Sequence, residues 1–277
     1  MNTSLFILAA LFAVVFGAPL SNKEKQRVAV LGNFTVSEGV VHNELVVPPK
    51  NCKAIQENDP NAVSGIYEVQ SSNARTYKVF CDMDLQEGGW TVILRRTDGS
   101  VNFNRDWSEY RTGFGNLLNG NYFLGLENIN ALTDPNIGKF ELWVGLLKHD
   151  LPNLPHFRHI ATSSFAHYKN FRVGDAQSLY QLTVSEYQES STAGDSLKAH
   201  NSAPFSTPDR DNDKDRESCA QKFKSGWWFT NCLESNLAGV WRAKAEGEAD
   251  QGIVWESFSG DRNSLKSVVM AVRPLQE

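Results

Sequence analysis

The chain has 277 residues, of which 41% are hydrophobic and 7 are tryptophan, so it can bury a sizeable core as one large domain or two small ones. Its formal net charge of −5 at pH 7 excludes recognition of nucleic acid or of anionic membrane surfaces by bulk electrostatics. A charged partner must therefore be met by a local cluster of side chains.

The chain begins with a candidate targeting segment. Residues 5–18 carry almost no polar side chain, which is the length of a signal-peptide core and too short to span a bilayer. We predict a signal peptide over residues 1–17, cleaved after Gly17, in preference to a buried N-terminal helix. No later stretch approaches the roughly 20 apolar residues of a membrane helix. The sequence therefore predicts a secreted, extracellular protein with no membrane insertion.

Residues 18–50 have the composition of a polar tail. The triplet that starts at Asn33 matches the acceptor pattern for N-glycosylation, so Asn33 is predicted to carry a glycan. The tail contains neither a Gly-X-Y repeat nor sustained heptads, so it predicts neither a collagen stalk nor a coiled coil. A homo-oligomer would have to form through another surface.

Short strand patterns separated by turn residues begin after residue 51. The predicted strands are residues 65–69, 77–80, 90–94, 139–144 and 178–184. Helix signals are sparse and fall near residues 106–113 and 129–132. Beyond about residue 190 the regular periodicity gives way to a long region rich in Gly, Asp and Trp, and loop regions of this kind often carry function. The pattern predicts an antiparallel sheet followed by a functional loop region.

The four cysteines fall into two clusters along the chain, Cys52 with Cys81 and Cys219 with Cys232. In a secreted chain they imply two disulfides, and the clustering favours these sequence-local pairings among the three connectivities. Zinc binding is the alternative, but no CxxC pair or neighbouring histidine supports it. Two disulfides leave no thiol nucleophile, and the histidines lack partner acids at useful spacing, so we predict that the protein is not an enzyme.

Acidic residues recur at every second position between Pro208 and Cys219. They are Asp209, Asp211, Asp213, Asp215 and Glu217. Alternate residues of an irregular loop can turn carboxylates and backbone carbonyls toward one point, as calcium requires. An EF-hand is excluded because Lys214 stands where its glycine would be. A solvated charge run is the alternative, but close carboxylates repel one another without a cation. The segment therefore predicts a Ca²⁺ site.

Three consecutive aromatic residues, Trp227, Trp228 and Phe229, lie just before Cys232. Taken alone, they are equally consistent with a plain hydrophobic core. The acid-rich segment directly precedes them, and Cys219 belongs to both. We therefore predict that the two segments outline one rigid surface site.

Ordered sequence landmarks run along the chain from residue 51 to residue 274. They include Gly-Ile-Tyr at 65–67, Gly-Gly-Trp-Thr-Val at 88–92, Phe-Asn-Arg-Asp-Trp at 103–107, Ala-Gly-Asp-Ser-Leu at 193–197 and Ser-Leu-Lys at 264–266. In this order they resemble the fibrinogen C-terminal domain of ficolins, tachylectins, angiopoietins and fibrinogen. The resemblance implies an α+β fold with a twisted antiparallel sheet and a loop-rich subdomain that binds calcium and ligand.

The resemblance also implies an organisation in three parts within a domain at residues 51–277. The N-terminal subdomain would cover about residues 51–91. The central sheet would cover residues 92–185 and take its last strand from residues 266–275. The calcium and ligand subdomain would cover residues 186–265. In the family pattern, Asp211 and Asp213 bind calcium through their side chains, and Asp215 and Glu217 bind it through their carbonyls.

A ligand pocket near the calcium captures acetylated sugars in ficolin-like members of the family. The resemblance places five residues of this chain in that pocket: Phe223, Asn231, Cys232, Leu233 and Ala249. Phe223 keeps the family's aromatic residue, and the Asn231–Cys232 peptide would be cis. Leu233 replaces a histidine, and Ala249 replaces a tyrosine that lectin-like members often carry. The implied function is a calcium-dependent lectin of innate immunity that binds acetylated glycans.

An alternative within the same family is a protein ligand of the angiopoietin type. Angiopoietin-like members also lack the histidine that Leu233 replaces, and they bind a protein receptor. A glycan array with calcium and with EDTA would discriminate between these two functions.

Overall fold

A computed structural model of the chain describes residues 36–37, 40–41, 47–71, 74–118, 120–149, 163–244, 252–259 and 263–275. The predicted signal peptide, the glycosylation site at Asn33 and the pocket residue Ala249 lie outside the described residues. The chain divides into two compact units, residues 1–47 and 48–277. In the first unit, β1 (Val36–Ser37) pairs with β2 (Val40–Val41) in an antiparallel ladder. The account below concerns the second unit.

Nine antiparallel strands form the main sheet. They are β3 (Gly65–Gln70), β4 (Thr76–Asp82), β5 (Trp90–Arg96), β6 (Phe114–Asn116), β7 (Asn121–Phe123), β8 (Phe140–Leu147), β9 (Ser163–Val173), β10 (Leu182–Tyr187) and β13 (Ser267–Pro274). Along the main path the order is β10-β9-β8-β13-β5-β4-β3, with β7 pairing with β5 and β6 with β7. The last strand, β13, therefore belongs to this sheet, as predicted, and it lies in the middle of it.

Short helices and a small second sheet complete the described fold. The helices are α1 (Cys52–Asn58), α2 (Trp107–Thr112), α3 (Leu126–Leu132), α4 (Cys219–Phe223), α5 (Glu256–Ser259) and a 3₁₀ turn at Lys198–His200. The second sheet pairs β11 (Ser235–Asn236) with β12 (Val254–Trp255). Helix α2 begins where it does because Asp106 and Glu109 form a reciprocal capping box that satisfies two exposed N–H groups. None of the described helices is long and apolar enough to cross a membrane.

The sheet buries both of its faces to different extents. Alternate residues of β8, including Leu142 and Val144, point into the large core that also takes in the loop region. Trp143, between them in the sequence, points to the opposite face and packs with Trp90, Val92, Tyr122 and Ala271 in a smaller cluster. Burial on both faces accounts for the nearly continuous apolar runs that predicted these strands.

Both predicted disulfides are formed. Cys52 at the start of α1 is bonded to Cys81 in β4, and Cys219 at the start of α4 is bonded to Cys232. The first disulfide fixes α1 against the sheet, where the Cys52 N–H also donates to the Thr91 hydroxyl. The second closes the loop that carries the aromatic residues.

The structure differs from the sequence predictions in several places. The strand predicted at residues 178–184 begins only at Leu182, because Leu179 and Tyr180 adopt left-handed backbone conformations in a turn. Strand β9 was not predicted at all, and α3 begins three residues earlier than the predicted helix. The predicted boundary between residues 91 and 92 falls within β5, so the strands of the N-terminal part belong to the same sheet as the central part.

Candidate calcium and ligand site

The acid-rich segment folds into a series of side-chain turns. The Asp211 carboxylate accepts a hydrogen bond from the Asp213 N–H at 3.1 Å, and Asp213 accepts one from the Asp215 N–H at 2.9 Å. Asp215 repeats the pattern with the Glu217 N–H at 3.1 Å. Short acidic side chains favour these local turns because they reach their own backbone two residues on. The spacing of two residues therefore curls successive carboxylates into one loop.

Asp213 lies at the centre of this loop. Its second carboxylate oxygen accepts a hydrogen bond from the Cys219 N–H at 2.9 Å, which joins the loop to α4 and to the second disulfide. Burial, followed by the negative charge of Asp211, raises the pKa of Asp213 above its ordinary value. A cation between the two carboxylates would remove this repulsion, so the residues present fit a calcium ion.

The backbone carbonyl groups of Asp215 and Glu217 are also compatible with calcium binding. Within the described part of the chain, no N–H group donates to the carbonyl oxygens of Asp215 or Glu217. The Asp215 carboxylate lies within 4.8 Å of the sulfurs of Cys219 and Cys232. Those sulfurs form a disulfide and cannot act as thiolate ligands, so this group is not a metal centre of its own. Its side chain is thus turned to the disulfide, which fits a carbonyl role for Asp215.

Neighbouring segments hold the loop in place. The Asn212 side chain donates to the Phe205 carbonyl at 2.7 Å, and the Asn212 N–H donates to the Ser206 hydroxyl at 3.0 Å. The Lys214 N–H donates to the Thr230 carbonyl at 3.1 Å, which connects the acid-rich loop to the aromatic segment. The acid-rich loop and the aromatic segment, which the sequence predicted to lie together, are therefore joined directly by a hydrogen bond.

Asp209 is the acidic residue that the structure separates from the cluster. Its carboxylate accepts hydrogen bonds from the Trp107 N–H at 2.9 Å and from the Thr207 hydroxyl at 2.7 Å. Arg210 lies over the Trp107 ring at 4.1 Å from its centroid. Both residues thus join the loop to the start of α2.

The three consecutive aromatic residues form core. Trp227, Trp228 and Phe229 are each 0% exposed, and the Trp228 indole N–H donates to the Tyr180 carbonyl at 2.8 Å. Fully buried aromatic side chains stabilise the domain and offer no surface to a ligand. The structure therefore places these three side chains in the hydrophobic core and not on the surface of a ligand site.

The residues placed in the ligand pocket are distributed over surface and core. Phe223 and Leu233 are only 3% and 8% exposed, and Phe223 stacks on Phe229 with ring centroids 6.0 Å apart. Asn231 is exposed and Cys232 is half-buried. The described residues contain no cis peptide bond, so the Asn231–Cys232 peptide is trans and the expected cis bond is wrong.

Sequence reasoning missed His200, which fixes the segment after Cys232. The imidazole Nδ1 bonds to the Trp228 carbonyl at 2.8 Å, and Nε2 accepts from the N–H groups of Glu234 and Ser235 at 3.1 and 3.0 Å. This pattern requires the tautomer with hydrogen on Nδ1. Burial lowers the pKa of His200 to about 4. A lone histidine in a polar stretch carries no sequence signal for this role.

Comparison with known proteins identifies relatives across nearly the whole second unit. Residues 48–275 match the family described as fibrinogen beta and gamma chains, C-terminal globular domain. Fibrinogen-like protein 1 of Mus musculus is 44% identical over 232 residues, which cover 78% of this chain and 69% of that protein.

Two solved structures show the same fold. The fibrinogen-like globe domain of human ANGPTL6 has a TM-score of 0.74 and 36% identity, covering 85% of this chain and 100% of its own. The lamprey fibrin D-dimer, in complex with the peptide Gly-His-Arg-Pro-amide, has a TM-score of 0.73 and 27% identity. The match covers 99% of this chain and 87% of the lamprey chain.

Proposed function

This chain belongs to the family of the C-terminal globular domain of the fibrinogen beta and gamma chains, and we propose that it is a secreted, calcium-dependent recognition protein that binds a protein partner. It would act as a ligand-binding protein and not as an enzyme. Asp211 and Asp213 would hold the calcium ion through their side chains, and Asp215 and Glu217 through their carbonyls. The calcium would fix the loop against which the partner binds.

The observation that carries this proposal is the burial of Phe223 and Leu233. An acetyl-binding pocket needs an open apolar wall and a hydrogen-bond donor, whereas these two side chains pack into the core and leucine offers no donor. Asn231 and Glu234, which lie close to Leu233 in the sequence, are polar and exposed, and so is Arg216 in the acid-rich loop. A polar, rigid surface of this kind suits the rim and charge pattern of a protein interface.

The relatives support the same choice of partner. The lamprey fibrin D-dimer binds a peptide, as its description states, and it shares the fold of this chain. Transferred to this chain, that property favours a peptide segment of a protein over an acetylated sugar. The lectin function remains the competing proposal, and one experiment separates the two.

The test is binding of the labelled secreted chain to a cell surface under five conditions. We expect binding in calcium, loss of binding in EDTA, and loss after mild proteolysis of the cells. We also expect binding to survive enzymatic removal of surface glycans and an excess of N-acetylglucosamine. Loss of binding on deglycosylation or with N-acetylglucosamine would decide for the acetyl-glycan lectin.

Charge-reversal variants test whether the acid-rich loop is the surface that binds the partner. The double substitution Lys214→Glu with Arg216→Glu changes two exposed side chains of the calcium loop. It should weaken binding to the partner while leaving the melting temperature nearly unchanged. Lys78→Glu with Lys169→Glu reverses two exposed charges on β4 and β9 and serves as the matched control. Equal loss of binding in both variants would mean that net charge, and not the calcium loop, determines recognition.

A further inference from the structure

A cavity with a volume of about 330 Å³ lies outside the calcium loop and the aromatic segment. Its lining includes Ser71, Arg75, Glu127, Asn130, Ala176 and Tyr180. These residues come from three places in the fold: the turn between β3 and β4, helix α3, and the turn that precedes β10. The volume lies at the lower end of the range for ligand sites and suits a group the size of one sugar or one amino acid.

The charges around the cavity are unequal. The Glu127 carboxylate pairs with the Arg75 guanidinium at 3.1 Å and with the Arg111 guanidinium at 3.3 Å. Asp175 and Arg210 also act electrostatically on Tyr180. The charged side chains that pair with Glu127 or act on Tyr180 therefore comprise three guanidinium groups and two carboxylates, an excess of one positive charge. The excess positive charge would attract an anionic ligand, whereas it would add little to the binding of a neutral one.

Tyr180 supplies a directed hydrogen-bond donor. The residue is 2% exposed, its ring packs on Trp107 with centroids 5.8 Å apart, and its backbone adopts a left-handed conformation at φ 53°. Its carbonyl is bonded to the Trp228 indole, which fixes the residue in the turn. Among the described residues the Tyr180 hydroxyl has no hydrogen-bond partner. Burial, and then the charge of Glu127, raises the pKa of this hydroxyl, so it carries its proton at neutral pH.

Asn130 supplies an acceptor on the same lining. Its side-chain N–H donates to the Val173 carbonyl at 2.9 Å, which fixes the amide and leaves its carbonyl oxygen as an acceptor. The cavity therefore has a donor, an acceptor and a guanidinium group among its lining residues. A carboxylate that lies beside a hydroxyl or amide group has the matching arrangement.

We propose that this cavity is a second ligand site, which binds the carboxylate of a residue-sized group by a hydrogen bond from Tyr180 and by the charge of Arg75 and Arg111. Acidic sugars and the C-terminal carboxylate of a peptide share this chemistry. None of its lining residues belongs to the acid-rich loop, so binding at this site should not require calcium.

The test uses two matched pairs of probes with the full secreted chain in EDTA, so that the calcium loop does not contribute. Glucuronic acid is compared with glucose, and N-acetylalanine with N-acetylalanine amide, by saturation-transfer NMR and titration. We expect the acid of at least one pair to bind and its neutral partner not to bind. The pair that binds identifies the source of the carboxylate as a sugar or a peptide.

Two variants and one control connect the binding to the cavity. Tyr180→Phe keeps the ring on Trp107 and removes only the hydroxyl, so it should raise the Kd for the acid about tenfold or more, as expected for a hydrogen bond to a charged group. Arg111→Gln should weaken binding severalfold by removing one positive charge. Tyr187→Phe makes the same chemical change on β10 and should have no effect.

Three results would overturn the proposal. They are binding of neither acid, equal binding of an acid and its neutral partner, and an unchanged Kd in Tyr180→Phe. A failure of this test leaves the calcium-dependent recognition function unaffected, because that function is measured in calcium and at other residues.

Discussion

The central sheet and the loop region around the candidate calcium site are held together by different forces. In the sheet, β8 pairs with β13 along its whole length and with β9 from Leu142 to Leu147, and its alternate side chains fill the core. The described loop region from residue 188 to residue 244 contains only the two residues of β11 as strand. Particular side chains, such as Asn212, Asp213 and His200, supply its hydrogen bonds instead.

This difference has a consequence for stability. A backbone ladder over a common core unfolds as one cooperative unit, whereas a loop held by a few polar contacts can open by itself. We therefore expect changes in the sheet to lower the stability of the whole domain. Changes in the loop region should act locally and depend on pH, disulfide formation and calcium.

The largest effect is expected from a cavity in the sheet. Leu142 in β8 is 0% exposed, and Leu142→Ala should lower the free energy of unfolding by about 2–5 kcal/mol. Hydrogen exchange should show faster opening of every strand, because the core is shared. Thr183→Ala changes an exposed residue of β10 and should stay within about 0.5 kcal/mol. Faster exchange confined to β8 would contradict a cooperative sheet.

Opening the second disulfide should have the next largest effect. Cys219 and Cys232 are 13 residues apart, and a cross-link of that length contributes about 3 kcal/mol by restricting the unfolded chain. In Cys219→Ala with Cys232→Ala, we expect limited proteolysis to cut first between residues 205 and 235 while the sheet stays protected. The pair Cys52→Ala and Cys81→Ala removes the disulfide that joins α1 to β4, and should instead destabilise the sheet. The same cleavage pattern in both variants would refute the local role.

The same division decides what could be predicted from the sequence. Strands β5 and β8 were predicted nearly in place because long apolar runs indicate burial on both faces of a sheet. Strand β13 was expected only from the resemblance to the fibrinogen C-terminal domain. Strand β9 was missed because its burial pattern is irregular and several of its residues are only half-buried. The sequence pattern predicted a strand at Leu179 and Tyr180, where the chain forms a turn, because left-handed backbone at bulky residues has no sequence signal.

In the candidate site, the spacing of the acidic residues predicted the loop, but the sequence did not predict how the neighbouring side chains pack. The two-residue repeat of acids determines the side-chain turns, so the position of Asp211 and Asp213 followed from the sequence. The burial of Phe223 and Leu233 did not, because it depends on Phe229 and on elements far away in the chain. The contacts of His200 join residues 28 to 35 positions apart, which no local pattern encodes.

A pH titration should separate the loop from the sheet. The folded-state pKa of His200 is about 4, below the value of 6.5 for an unperturbed histidine. As the pH falls from 6.5 to 4, His200 becomes protonated in the unfolded chain while it stays neutral in the folded chain. The free energy of unfolding therefore falls across this window by up to about 3 kcal/mol. Above pH 6.5 the contribution is fully present. Denaturant unfolding at a series of pH values measures the slope.

The variant His200→Gln tests the assignment of that slope. Glutamine does not titrate, so the difference in stability between variant and wild type should shrink as the pH falls through the window. Protonation of His200 would place a third N–H against those of Glu234 and Ser235, so loop residues should exchange faster before the sheet does. An unchanged slope in the variant would assign the pH dependence to other groups.

Calcium should give the smallest change in stability and the most specific one. Extracellular sites with Kd values of about 0.1–1 mM stabilise a protein by roughly 1 kcal/mol at millimolar calcium. The variant Asp211→Asn keeps the oxygen that accepts from the Asp213 N–H and removes only the charge. In calcium it should lose the ion and about 1 kcal/mol of stability. In EDTA it should be as stable as wild type or slightly more stable, because the repulsion between Asp211 and Asp213 is gone.

The reversal between the two conditions distinguishes a metal site from a structural turn. Asp175 also makes a side-chain turn, accepting from the N–H of Ser178, three residues on, at 2.9 Å, and none of the interactions that shift its pKa is with another carboxylate. Asp175→Asn should therefore behave alike in calcium and in EDTA. Calorimetry provides the second measurement, since Asp211→Asn should bind no calcium and Asp175→Asn should bind it like wild type. If Asp211→Asn kept its calcium affinity, the acids of the loop would be a solvated charge run, and the recognition surface would have to form without the ion.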